Sequence, residues 1–304
     1  MRSFPFVQTS VFTDDRYAFS GNQLATFWDY ESNARLSFDE MQGITREMNY
    51  SETTFAFPPV MQDCVSKVRI FTPAREIPFA GHPTLGTAFV LRSKKLIKAD
   101  HAALELGIGR TEVDFITEDM VRMVQNPPEF LGEVEETKKV LTAIGLTEKA
   151  VSDDHPMQFV STGFPFLIIP LKSLPAVQKA APNPVAIARA LEGQASRAVL
   201  IFSTETVHGE SNAHARMFAP DVGVLEDPAT GSAAGPLGAY LEHHHVLPTH
   251  ANGEIMTVEQ GYEMHRPSRL LVQMARDKRK GKVLVSGKVG LTADGVFYLK
   301  SPRK

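Results

Sequence analysis

The chain has 304 residues, 43% of them apolar and 22% charged, with a net charge of -3. That length suffices for two compact cores, since single cores stop growing near ~250–300 residues, and the composition is that of an ordinary globular protein, which excludes disordered and membrane-embedded classes. So small a net charge gives no electrostatic reason to expect nucleic acid or an anionic membrane as partner, and the single cysteine, Cys64, excludes an internal disulfide and fits a reducing compartment.

The opening MRSFPFVQTSVF lacks a long apolar core followed by a small-residue cleavage site, and no run approaches the ~20 apolar residues that cross a bilayer, so a cytoplasmic location is expected. Residues 4–12 and 24–29, rich in Phe, Val and Thr, predict strands, with a turn at Phe19-Ser20-Gly21-Asn22 between them. Asn22 suits turn duty as well as ligand contact. Ser37 followed by Glu40 is a capping box opening a helix that ends at Asn49, with Phe38, Met41, Ile44 and Met48 on its buried face. The β-rich, alternating segment 51–59 puts Glu52 at a strand start near a sheet edge, although a solitary Glu is also what a solvated surface charge looks like.

A strand over 64–71 is followed by a loop over 74–81, a helix to about Lys94, and strands over 102–107, 110–116 and 120–125. Asn126-Pro127-Pro128 is the clearest punctuation and marks the expected crossing between two halves, 1–126 and 127–289. The second half predicts helices over 133–144 and 182–191, and strands over 159–162 and 164–171 joined at Gly163, then 197–203 and 213–219. Three consecutive histidines, His243 to His245, cannot share one helix face, so they predict a helix C-terminus stabilised by partly cationic imidazoles rather than a metal site. Strands over 253–260, 268–276, 282–290 and 295–300 complete the chain, with 277–281 a charged hairpin turn.

One stretch organises the rest. Asp227 to Ala234 reads DPATGSAA, and His82 to Ala88 reads HPTLGTA, so Pro83, Gly86, Thr87 and Ala88 match Pro228, Gly231, Ser232 and Ala233, with His82 standing where Asp227 stands. Upstream, VRIFTP and ARMFAP share their Arg, Phe and Pro positions, which makes one strand, loop and helix unit repeated about 145 residues apart. In each copy a proline is placed for the first helical turn. Such turns have unpaired N–H groups and the positive end of the helix dipole, so two of them facing one another would hold an anionic small molecule, with His82 and Asp227 in the same cleft. Close packing alone also selects small residues at a helix opening; the matched upstream strands favour the repeat.

The stretches REMNYSETTF, RIFTPAREIPFAGHPTLGTA and EDPATGSAAGPL resemble the signatures of the phenazine-biosynthesis isomerase (PhzF-like) family, within the diaminopimelate epimerase fold superfamily. The resemblance implies an α/β (α+β) fold of two similar domains, each a curved mixed β-sheet wrapped around a central helix. It further implies an active site between them, a last strand over 290–304 returning to the N-terminal domain, a homodimer, and no metal or organic cofactor. Carried over by position, the family's acid/base glutamate is Glu52, its cleft histidine His82 after Gly81, its aspartate Asp227, and its helix-opening pair Gly231 and Ser232. Asn22 and Ser51 match positions lining the same cleft. Gln23 stands where the family's turn usually continues with Pro. The superfamily's racemases place a cysteine at each central helix; the corresponding places are assigned here to His82 and Asp227, which disfavours a two-thiol racemase.

These residues allow a cofactor-independent isomerase that moves a proton and a double bond on a small carboxylate, with Glu52 as acid and base, and Asp227 and His82 holding substrate. The backbone near Gly81, Gly231 and Ser232 would take a carboxylate or enolate-like oxygen. The alternatives are a metabolite-binding protein without turnover, and an epimerase acting on a related acid.

Overall fold

The computed structural model describes residues 1–247 and 254–300, so the first residue of the strand predicted over 253–260 lies outside the described residues. Two units divide the chain: residues 1–13, 22–123 and the segment from Gly287 onward form one, and residues 14–21 and 124–286 form the other.

The first unit begins with β1 (Arg2–Thr13), which pairs antiparallel with β2 (Asn22–Phe27). A short helix α1 (Tyr30–Asn33) and α2 (Phe38–Met48) lead to β3 (Glu52–Phe57), which runs parallel to β2. Then come β4 (Ser66–Phe71), the two-residue β5 (Glu76–Ile77), α3 (Gly81–Ser93), β6 (His101–Leu106), β7 (Gly109–Phe115) and β8 (Met120–Gln125). Antiparallel pairs alternate with the parallel pair β4 and β6, giving a mixed sheet. α3 lies against β1, β2 and β3 and is buried on nearly every side, as a helix without a polar stripe must be.

In the second unit β9 (Glu129–Glu133) pairs with β10 (Gln158–Ser161), which also pairs with β11 (Pro165–Pro170); α4 (Thr137–Ala143) intervenes. After α5 (Leu174–Lys179) and α6 (Pro184–Ala190), β12 (Val199–Ser203) joins β11 in parallel, and β13 (Ala213–Ala219) joins β12 antiparallel. β14 (Val224–Asp227) pairs with β13 and delivers the chain to α7 (Gly231–His243). β15 (Met256–Gln260), β16 (Ser268–Met274) and β17 (Val283–Leu299) finish the chain, the far part of β17 pairing along β1 in the first unit. α7 packs on β10, β11 and β16 and has its first eleven residues buried. Each unit is thus a mixed sheet around one buried helix of 13 residues.

Several local readings change. The capping box at Ser37 and Glu40 is formed and Asn49 ends α2 in the left-handed conformation, but Phe38 is half exposed. The buried face carries Gln42 and Thr45 beside Met41 and Ile44, because Gln42 Nε2 donates to the carbonyl of Thr72 at 2.8 Å and Thr45 Oγ1 donates to that of Met41 at 2.9 Å. The helix predicted over 133–144 starts only at Thr137, since 129–133 is held as a strand by β10, across a register shift at Gly132 (φ 109°) that no local pattern announces. α5, capped by Ser173, was not foreseen. The two strands predicted over 282–290 and 295–300 are one, because β1 pairs with both and a bulge opposite Gln8 and Thr9 absorbs the break. Of the three histidines, His244 is held below the usual imidazole range by burial and by the neighbouring His243 and His155, and its ring packs on Tyr240 with centroids 4.4 Å apart while Nε2 reaches Gln158 Oε1 at 2.8 Å.

Candidate active site

In the first unit the parallel register of β2 and β3 pairs Leu24 with Glu52, so both strands start at the same end, where α3 also opens. Asn22, Ser51 and Glu52 therefore meet His82, the second residue of α3. Ser51 Oγ donates to Asn22 Oδ1 at 2.9 Å, which turns the other end of that amide, Nδ2, toward His82 Nδ1 at 3.0 Å. An amide NH2 only donates, and the ring meets it through Nδ1, which leaves Nε2 to face Glu52. That nitrogen lies 3.3 Å from Glu52 Oε2, a contact set by distance and lacking the alignment of a full hydrogen bond. Glu52 is 7% exposed and His82 2%, so Glu52 is no solvated surface charge. Burial pushes the His82 imidazole down to about 3, against a weaker opposing hydrogen bond to the backbone of Gln23. The carboxylate thus faces an uncharged imidazole at the mouth of a helix whose first residue, Gly81, follows Ala80, a cap with no side-chain acceptor.

In the second unit Asp227 ends β14 and is 4% exposed. Thr230 Oγ1 donates to its Oδ2 at 2.6 Å, and Gln260 Nε2 donates to its carbonyl at 2.7 Å. Gly231 and Ser232 are the first two residues of α7, and Thr230, the cap residue, spends its hydroxyl on Asp227 rather than on the helix. Gln125 Nε2 donates to the Gly231 carbonyl at 2.8 Å while Thr162 Oγ1 donates to Gln125 Oε1 at 2.6 Å. Gly235 makes room for that amide: a Cβ there would stand 1.8 Å from Gln125 Oε1. Thr162, Gln125 and Gln260 were missed by sequence reasoning, since none belongs to a motif; Thr230 sits inside DPATGSAA and could have been singled out as a hydroxyl three residues after an aspartate.

The repeat is real but its register changes along the way. Arg69 grips Glu76 with Nε and Nη2, both at 2.7 Å, and Arg216 grips Glu226 in the same fork at 2.8 and 2.9 Å. The separation is 7 residues in the first unit and 10 in the second, where the 3-10 turn Pro220–Val222 is inserted; each helix then opens five residues after its glutamate. By helix position His82 corresponds to Ser232, not to Asp227, and Pro228 precedes α7 while Pro83 lies inside α3. Alignment by the prolines and the small residues after them concealed the three added residues.

Among the described residues no helix is long and apolar enough to cross a membrane. Residues 9–295 match the family described as phenazine biosynthesis-like protein. The chain is 35% identical over 283 residues, 92% of its length and 94% of the relative's, to the trans-2,3-dihydro-3-hydroxyanthranilate isomerase of Pseudomonas aeruginosa. Among solved structures, a PhzF-family phenazine biosynthesis protein of Bacillus anthracis superposes with a TM-score of 0.86 at 24% identity, covering 98% of this chain and 100% of that one. A protein of Pseudomonas aeruginosa described as a "Predicted Epimerase" gives 0.81 at 32% identity with the same coverage. A probable proline racemase of Agrobacterium radiobacter, at 0.64 and 10% identity over 98% of this chain and 93% of that one, shares the fold alone.

Proposed function

The chain belongs to the phenazine biosynthesis-like family and is a small-molecule isomerase, and from that premise we propose that it moves a proton and a double bond on a small carboxylate without a cofactor, with Glu52 as both base and acid. The observation that carries this reading is the buried sequence of contacts from Ser51 through Asn22 and His82 to Glu52 at the opening of α3. A double-bond shift needs a base to take a proton from carbon and an acid to return one elsewhere, and one carboxyl group under the substrate does both. A neutral His82 suits that duty, because an imidazolium at the same distance would hold Glu52 ionised and make it a poor acid.

In the same reading Asp227 holds the substrate's amine or hydroxyl, and the helix openings at Gly81 and at Gly231 and Ser232 take its carboxylate or an enolate-like oxygen. The Pseudomonas aeruginosa relative is named for trans-2,3-dihydro-3-hydroxyanthranilate, which is the first substrate to try. The proposal includes a cytoplasmic homodimer, resting on the family resemblance.

The test is turnover of that compound in deuterated water by wild type, Glu52→Gln and Glu52→Ala. Wild type should place deuterium on carbon in the product, and both folded variants should lose about a hundredfold or more in rate. Wild-type turnover by Glu52→Gln would sink the assignment of the base. Binding with no exchange would make the chain a metabolite-binding protein, and loss of optical activity in the product would make it an epimerase.

A further inference from the structure

The role proposed for Asp227 requires its carboxylate to be held at one place beside the opening of α7, yet the chain leaves β14 at this residue and does not enter the helix until Gly231. Two side chains bridge the interval. Gln260, the last residue of β15 and 1% exposed, donates through Nε2 to the Asp227 carbonyl at 2.7 Å and to Thr230 Oγ1 at 3.0 Å, while its Oε1 accepts the Thr230 N–H at 3.2 Å. Thr230 Oγ1 donates to Asp227 Oδ2 at 2.6 Å. A hydroxyl has one proton, so Thr230 must accept from the amide in order to give to the carboxylate, and the direction of every bond is fixed. Neither a leucine, which has no polar atom, nor a glutamate, which as a carboxylate has no N–H to give, could replace that amide.

We infer that Gln260 and Thr230 are positioning residues for Asp227, a relay that holds its carboxylate in one orientation at the mouth of α7. The inference rests on the substrate-binding role proposed for Asp227. A donor aimed at an ionised carboxylate favours that form, so loss of the Thr230 hydroxyl should show in the titration of Asp227 itself.

The variants are Thr230→Val, which keeps the shape and removes the donor, Thr230→Ser, which keeps the donor, and Gln260→Leu. Carbon-13 NMR of the aspartate carboxyl groups, with Asp227→Asn to assign the signal, should show Asp227 titrating at higher pH in Thr230→Val and Gln260→Leu, and at the wild-type pH in Thr230→Ser. With substrate, Thr230→Val should lose about tenfold in kcat/KM, carried mainly by KM, while Thr230→Ser stays within about twofold of wild type. A folded Thr230→Val with wild-type titration and wild-type KM overturns the relay; should Gln260→Leu fail to fold, Thr230→Val decides alone. Glu52→Gln separates the two readings: wild-type turnover by that variant defeats the proton-transfer proposal, whereas the Asp227 titration still decides the relay.

Discussion

Two buried histidines are shifted in opposite directions. His82 faces the Glu52 carboxylate at 3.3 Å without an aligned hydrogen bond, and burial pushes its imidazole down to about 3. His214 is equally buried, and burial acts on it in the same direction, but Nδ1 lies 3.1 Å from Glu259 and Nε2 3.0 Å from Glu263, and the two carboxylates raise it above the usual range. Between about 3 and the ordinary value near 6.5 the unfolded chain binds a proton at His82 that the folded chain refuses. The stabilisation is therefore complete above 6.5 and is lost as pH falls toward 3; for His214 the sign is reversed, its contribution being lost as pH rises through its raised value. Urea unfolding at pH 7.5 and 4.5 should show wild type losing about 2 kcal/mol more than His82→Gln on acidification; equal losses would mean that His82 is charged in the folded protein.

At the scale of elements, the two central helices are buried because small residues face the sheets around them. A Cβ at Gly86 would meet Leu24 Cδ2 at 2.6 Å and Val11 Cγ2 at 2.9 Å, and one at Gly238 would meet Val272 Cγ1 at 2.3 Å. Leucine has a second torsion with which to yield, but valine is stiff and its Cβ would itself be only 3.2 Å away. Gly238→Ala should accordingly cost about 1–3 kcal/mol despite alanine's better helix propensity, a balance that thermal unfolding would check and an unchanged or higher Tm would refute. Signals of this kind divide what the sequence discloses from what it hides. The box at Ser37 and Glu40 was legible because its partners lie three residues apart, whereas the strand at 129–133 was not, because its partner β10 lies more than twenty residues away.

At the scale of the whole molecule, the chain passes from one unit to the other after residues 13, 21, 123 and 286, so neither unit is a continuous piece of sequence. β17 serves both: residues up to Ser286 pair with β16, and those from Lys288 pair along β1. Its far end leaves Leu291, Val296 and Tyr298 62%, 45% and 63% exposed. The proposed homodimer predicts a mass near twice the 33.5 kDa chain by light scattering at micromolar concentration, and a monomer under those conditions would remove it from the proposal.

The sequence by itself determined the family and the repeated strand, loop and helix unit, and it singled out Glu52, His82 and Asp227 as candidates, because each is carried by neighbours close along the chain. Through the resemblance it also implied the two central helices, one in each unit. Only the tertiary structure decided that His82 is neutral and within 3.3 Å of Glu52, since that follows from strands paired across dozens of residues and from the exclusion of water. It alone decided that Ser232 is the counterpart of His82 and that Gln260 holds Asp227, since three inserted residues shift a register and an amide thirty-three residues away closes a turn, neither of which leaves a mark in local pattern.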